Sequence, residues 1–144
     1  MTRNHPASDE APIRELLAER VRAIQAKDVD AMVAQYDPGA VIYNLAPPLQ
    51  TRGADPEAIR TWFGGYDGPI RCEIAHEQIA VGGDVAFCNF LYRTSGTHDG
   101  KESKMWVRAT LGLRRREDGW KIVHEHDSDP FDMKTLKALF DLEP

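Results

Sequence analysis

Cysteine is scarce in this sequence: Cys72 and Cys88 are the 2 thiols in a chain of 144 residues. Both fall in apolar, strand-like stretches, where a free thiol behaves as a small hydrophobe. A disulfide would need an oxidising compartment, to which nothing points. A chain of this length buries about two-thirds of the surface its unfolded form exposes, so it needs no disulfide or metal to hold it together. Long apolar runs are missing too. No stretch approaches the roughly 20 residues that cross a bilayer, and Met1–Pro12 lacks the apolar centre of a secretory signal. A cytoplasmic protein without membrane contact is expected. Positive charge is in deficit, with 18 Lys and Arg against 23 Asp and Glu and a net charge of −5, which disfavours nucleic-acid backbones. The basic run Arg114-Arg115-Arg116 is followed at once by Glu117-Asp118 and suits a solvated hairpin end. There is no repeat, no Gly-rich phosphate loop, no Ser-nucleophile motif and no Cys-x-x-Cys, so no cofactor is expected.

What is present is a change of period along the chain. Ile13, Leu16, Leu17, Val21 and Ile24 recur at helical spacing over Glu10 to Ala26. Arg20 falls inside that stripe, where it either faces the interior or snorkels to the edge. Asp28 can cap a second helix over Val29 to Tyr36, which Asp37-Pro38-Gly39 stops. Ala40 to Asn44 is β-rich, and Pro47-Pro48 prevents regular structure after it. Asp55-Pro56 opens a third helix carrying Ile59, Trp62 and Phe63. From Pro69 the period is two. Strands are expected through Ile70–Val81, Val85–Arg93, Lys104–Arg115 and Trp120–Asp127. Ser95–Gly100 reads as a loop, and Asp132 can cap a short tail helix with Met133, Leu136, Leu139 and Phe140. Helices first and a meander of antiparallel strands afterwards read as α+β: one domain over residues 1–144, with 1–9 a flexible tail. A curved sheet with helices across its concave face leaves room for a small-molecule pocket.

Three segments carry a family resemblance: Ala26-Lys27-Asp28-Val29-Asp30-Ala31; Asp37-Pro38-Gly39-Ala40-Val41-Ile42-Tyr43; and Trp106-Val107-Arg108-Ala109-Thr110 with Arg115 to Ser128. Together they resemble SnoaL-like and ketosteroid-isomerase-like proteins of the nuclear transport factor 2-like superfamily. Asp118 to Ser128 also resembles the association domain of calcium/calmodulin-dependent protein kinase II. The resemblance implies a cone-shaped α+β fold and a homodimer formed through the sheet's outer face. It does not choose among isomerases, cyclases, dehydratases, binding modules and oligomerisation domains, because fold alone does not set function.

In ketosteroid isomerase an Asp base moves the proton while a Tyr and a protonated Asp hold the oxyanion. Here the position of the base falls on Asn44 and that of the Tyr on Arg20. An amide cannot abstract a proton, so a different base is needed, although Arg20 can still polarise a carbonyl. The last strand supplies candidates: His124 and His126 on one face, Glu125 and Asp127 on the other. His126 and Asp127 are the expected proton carriers, and a structural role at a dimer interface is the alternative. Trp106 and Arg108 share a strand face and could hold an aromatic or carboxylate-bearing ligand, or could stack on each other, or Arg108 could pair with Glu125 or Asp127. Tyr43, Trp62 and Asn89 complete the expected ligand-binding set, with core packing as the other reading of Tyr43 and Trp62 and a structural hydrogen-bonding link as that of Asn89. His76 could join His124 and His126 around a metal, but no third ligand is fixed by spacing and no metal site is expected. The expected function is binding of a small organic molecule, with acid–base chemistry of the isomerase, cyclase or dehydratase kind on a carbonyl or carboxylate compound. The alternative is a non-catalytic dimeric ligand-binding or protein-interaction module.

Overall fold

A computed structural model describes residues 6–144, and of residues 6–8 the backbone alone. Of the expected tail at 1–9, residues 1–5 lie outside the described residues, and 6–9 are not a tail but the first turn of a helix. The first helix, α1, spans Pro6–Ala26 and so begins four residues before the expected Glu10. Ile13, Leu16, Leu17, Arg20, Ala23 and Ile24 are its buried positions, one stripe at helical spacing. Lys27 ends it with φ 53°. Asp28 then accepts from the Ala31 N–H at 3.0 Å and caps α2, Val29–Ala34, as its short carboxylate should.

The helix expected to reach Tyr36 stops two residues earlier, because the chain gains a better backbone partner. The Ile122 N–H donates to the Gln35 carbonyl at 2.9 Å, and Tyr36 opens strand β1, Tyr36–Tyr43. A short β2, Thr51–Arg52, follows. Helix α3 is Pro56–Gly64. Its Asp55 cap accepts from the Glu57 N–H at 3.0 Å, and Pro56 sits in the tolerated first turn.

Four long strands complete the chain: β3 Asp67–Gly82, β4 Val85–His98, β5 Lys101–Arg116 and β6 Gly119–Ser128. They form a meander in a curved, unclosed six-stranded sheet of order β2-β1-β6-β5-β4-β3. β1 runs parallel to β6. The expected loop over Ser95–Gly100 is instead strand up to His98, which pairs with Lys101. Asp99 and Gly100 alone make the turn, with φ 48° and 75°, the positive values that a tight hairpin between twisted strands requires. Gly96 is fixed differently: a Cβ there would stand 2.6 Å from the Tyr66 ring and 3.1 Å from the Pro69 carbonyl oxygen.

Two single-residue irregularities set which side chains face the helices. In β3, Ala75 pairs with Leu91 but Gln78 pairs with Asn89, so His76 and Glu77 together oppose one residue of β4. This bulge explains a parity change in the sequence. Ile74 precedes it at an even number and Ile79 and Val81 follow at odd ones, yet all three pack against one core cluster. In β6, Leu113 pairs with Ile122 but Gly112 pairs with His124, leaving Val123 as the extra residue. Trp120 and Ile122 before it, and Glu125 and Asp127 after it, are all buried. A strand without a bulge would have sent the second pair to the opposite face.

The core under the helices has two parts. Ile13, Leu16 and Leu17 of α1 meet Cys88, Leu111, Leu113, Trp120 and Ile122 of the sheet. Ala23 and Ile24 meet Met32, Phe63, Tyr66, Ile70 and Cys72. No helix among the described residues is long and apolar enough to cross a membrane. The expected tail helix is absent. Asp132 Oδ1 instead accepts from the N–H groups of Lys134 at 2.8 Å and Thr135 at 2.9 Å, and Phe131 bridges Ala138. Met133, Leu136 and Phe140 remain 79%, 73% and 49% exposed. A short helix gains too little from its own hydrogen bonds and needs a buried face, which this segment does not have.

His76 is exposed and holds φ 55° at its bulge, a region that costs a side chain with a Cβ about 1 kcal/mol. His76→Gly should therefore raise unfolding stability by up to about 1 kcal/mol, and His76→Val should lower it. Urea denaturation of both variants checks this. Equal midpoints would show that the bulge carries no such cost.

Candidate functional site

Arg20 lies one helical turn beyond Leu16 and Leu17, so α1 carries its guanidinium beneath the helix onto the concave face of the sheet. The side chain is 7% exposed, and Nη2 stands 2.8 Å from Glu125 Oε1. Nη1 donates to the Tyr36 hydroxyl oxygen at 2.8 Å. That hydroxyl donates in turn to Glu125 Oε1 at 2.9 Å, closing a triangle of guanidinium, phenol and carboxylate. Burial alone would lower the Arg20 pKa, but Glu125, Tyr36 and Asp127 outweigh it and drive it well above the ordinary value. Two bonds to one carboxylate oxygen, one direct and one through a phenol, satisfy charges that would otherwise be costly to bury.

Asp127 stands two residues along β6 on the same face. The Tyr92 hydroxyl donates to its Oδ2 at 3.3 Å, while its Oδ1 is buried with no partner. Burial first, and then the neighbouring Glu125, push the Asp127 carboxyl up to about 8, against the pull of Arg20. A carboxyl that titrates close to neutrality can both give and take a proton. Burial likewise raises the phenols of Tyr36 and Tyr92, which stay protonated as donors. Asp129, just past the strand, is raised to about 6 by burial, with Arg108 opposing.

A groove of about 610 Å³ opens beside this cluster, between the loop over residues 44–50 and the end of β6. Tyr43, Asn44, His126 and Asp127 stand in its wall, and the loop contains the cis peptide Pro47-Pro48. The Tyr43 ring meets His124 edge-on at 4.9 Å and His126 at 5.3 Å. His124 Nδ1 lies 2.7 Å from the Val41 carbonyl, which can only accept, so that nitrogen carries the hydrogen.

The nine candidate residues thus divide among separate places. Arg20 and Asp127 come together under the helices. Tyr43, Asn44 and His126 reach the groove. Asn89, Trp106 and Arg108 lie on the outer face of the sheet, where Asn89 pairs with Thr110. There the Arg93 guanidinium sits 5.3 Å from the Trp106 ring, and Trp106 Nε1 donates to Glu143 Oε2 at 3.1 Å. Arg108 Nε donates to Ser128 Oγ at 3.1 Å. Trp62 stacks on Phe63 at 5.0 Å, against the second core cluster. Among the described residues no three His, Cys, Asp or Glu side chains are grouped to hold a metal. His76 is on β3, separated from the β6 histidines by two strands.

Sequence reasoning missed Tyr36 and Tyr92. The alternation Ala86, Cys88, Phe90, Tyr92 already places Tyr92 on the core face. Tyr36 was hidden by its assignment to a helix.

Arg20→Met should destabilise the protein by about 3–5 kcal/mol by leaving Glu125 buried without its cation. Arg20→Met/Glu125→Leu should recover most of that loss. Chemical denaturation of both variants measures it, and a double variant as unstable as the single one would contradict the pairing. Asp127 sets a pH dependence. Its folded pKa, about 8, lies above the roughly 3.9 of an unfolded Asp, so the folded state binds more protons between those values. That stabilisation is complete below about pH 4 and is lost as pH rises through about 8. Asp127→Asn should abolish this decline, as read from urea midpoints at about pH 5 and about pH 9. An unchanged pH profile in the variant would refute the raised pKa.

A family model described as a SnoaL-like domain matches residues 13–132. Among solved structures, a nuclear transport factor 2-like protein of unknown function from Pseudomonas putida is 33% identical, with a TM-score of 0.86 over 98% of this chain and 100% of that one. A superfamily protein from Salmonella enterica is 20% identical, with a TM-score of 0.76 over 90% and 96% of the two chains. The association domain of C. elegans calcium/calmodulin-dependent protein kinase II is 17% identical, with a TM-score of 0.67 over 85% and 97%. These last two likenesses concern the fold alone. No curated protein matches the sequence.

Proposed function

The chain belongs to the SnoaL-like domain family of nuclear transport factor 2-like proteins, and from that membership we propose that it binds a small organic molecule bearing a carbonyl or carboxylate and moves a proton on it. The observation that carries this reading is Asp127. It is a buried carboxyl pushed up to about 8, it has an unpartnered oxygen, and it stands in the wall of the groove. Asp127 is the proton carrier. Arg20, through Glu125 and Tyr36, supplies a fixed positive field against charge that develops on the ligand. His126 and Asn44, at the groove, orient the ligand's polar end, and the Tyr43 ring forms an apolar wall. The reaction class that fits is isomerisation, cyclisation or dehydration, each of which needs one proton shifted next to a carbonyl. The proton shift proposed here uses side chains alone. Both cysteines are free, as suits the reducing cytoplasm, where we place the protein.

One observation favours assembly alongside this. Val85 and Phe87 are 54% and 55% exposed on the outer face of β4, the face that also carries Trp106 and Arg108. A homodimer through that face would bury them. Without turnover, the protein would then be a dimeric ligand-binding or interaction module.

One experiment separates the two readings. Native mass spectrometry gives the assembly state and the mass of any co-purified molecule, and carbonyl compounds of that class are then incubated with the protein in D2O. Wild type should exchange the proton next to the carbonyl, and Asp127→Asn should slow that exchange by about 10²–10⁴-fold while still binding. Binding without exchange, or equal exchange by wild type and variant, would end the catalytic reading and leave the module.

A further inference from the structure

The segment after β6, residues 129–144, is shaped by its own backbone. The Asp132 N–H donates to the Lys137 carbonyl at 2.8 Å, the Leu136 N–H to the Asp132 carbonyl at 2.7 Å and the Leu139 N–H to the Pro130 carbonyl at 2.8 Å. On this frame Phe131, Met133, Leu136, Phe140 and Leu142 are between 47% and 79% exposed. Leu136 holds φ 59°, a conformation that a side chain with a Cβ adopts only at a cost. The segment is anchored at one end of the sheet's outer face. There Glu143 Oε2 accepts from Trp106 Nε1 at 3.1 Å, and Glu143 Oε1 stands 3.7 Å from Lys104 Nζ. Grouped apolar side chains left this uncovered mark a surface that meets another.

The opposite end of the same face carries the complement. Val85 pairs with Arg114 and Phe87 with Gly112, while Arg93 pairs with Trp106 at the anchored end. Along β5, Arg114 lies roughly 26 Å from Trp106 at the rise of a strand. Midway is the Asn89–Thr110 pair, with His126 beside Thr110. When two such faces meet, a two-fold axis lying across the strands at that pair sets the anchored end of each copy over Val85 and Phe87 of the other. Val85 and Phe87 by themselves fall far short of the roughly 800 Å² per partner that a stable interface buries. Charge acts in the same direction. On β4, β5 and β6 the outward Arg93, Arg116 and Lys121 are paired with Glu73, Asp37 and Asp118, and Glu102 is paired with Arg71. Arg108 meets the Ser128 hydroxyl and the field of Asp129. Exposed Arg114 has no ion pair among the described residues. That end of the face is left positive, whereas residues 129–144 carry Asp129, Asp132, Asp141 and Glu143 against Lys134 and Lys137.

We propose, resting on the outer-face homodimer read above, that residues 131–142 of each copy dock on Val85, Phe87 and Arg114 of the other. The partner is a second copy of this chain, and the contact is made twice, once in each direction.

The test uses the full chain and two exposed positions. Phe87→Thr removes the ring from the patch and keeps a residue suited to a strand. Leu136→Asn removes the apolar side chain and supplies one that accepts a positive φ. Each should weaken the homodimer at least about ten-fold, as read by analytical ultracentrifugation over a dilution series. Mixed in equal amounts, the two variants should recover one of the two contacts. The intact segment of the Phe87→Thr copy then meets the intact patch of the Leu136→Asn copy. Native mass spectrometry separates the three dimers by mass, and the heterodimer should exceed random pairing. If Phe87→Thr does not fold, Arg114→Glu takes its place in the same mixture. Random pairing, or variant dimers as tight as wild type, would overturn the docking while leaving the homodimer standing. A wild-type chain that is monomeric throughout the series would overturn both.

Discussion

A guanidinium carried under a helix has to be neutralised where it lies, because water cannot reach it. Arg20 imposes that condition on this protein. Its helix cannot turn away without exposing Ile13, Leu17 and Ile24, which share its stripe. The sheet must therefore present a carboxylate at one height and on one face. Glu125 does so, and Tyr36 spans the same two groups. The pair ties the first helix to the first and last strands, the two parallel neighbours at the centre of the fold's connectivity. The pair itself need not add net stability over an apolar core. What it adds is a fixed register, because a slip of one residue would leave both charges buried and alone.

That register is delivered by an interruption of the strand pattern. The extra residue at Val123 lets Trp120 and Ile122 pack as core and still turns Glu125 and Asp127 to the same side. The bulge in β3 around His76 does the same for Ile79 and Val81. Strand bulges are a common way to re-aim side chains next to functional sites. Here they allow a strand to change from hydrocarbon to carboxylate without changing face. The buried Asp127, raised toward neutrality by the shielded surroundings that hold the ion pair, follows directly from that geometry.

The two faces of the sheet consequently do different physical work. The concave face is largely buried, with its charges confined to a few side chains that hold one another. The outer face mixes aromatic, cationic and apolar side chains that are half-buried, such as Trp106, or exposed, such as Phe87 and Arg108. Side chains on alternate positions of a strand vary independently, so the two faces of one sheet can carry different chemistry.

Much of the architecture could be read from the residues alone. The helical stripe of α1, the Asp28 and Asp55 caps, the two-residue period after Pro69 and the Glu117-Asp118 turn are local signals, written within a few positions of one another. The charge of Arg20 within the apolar stripe and the alternation of histidines and carboxylates on β6 were equally visible, but not whether Arg20 faces inward or reaches the stripe's edge. Other features depended on partners far along the chain. Tyr36 left its helix because Ile122 offered a backbone partner. Ser95 to His98 became strand because the Asp99-Gly100 turn folded β5 back onto it. The tail helix did not form because no surface covered its apolar side. Above all, which of the two faces of β6 is buried was set by a single extra residue at Val123, whose effect exists only relative to β5. Sequence determines local conformation through contacts a few residues apart. The meeting of Arg20, Tyr36, Tyr92, Glu125 and Asp127 is a long-range event, decided only when the sheet closed over the helix.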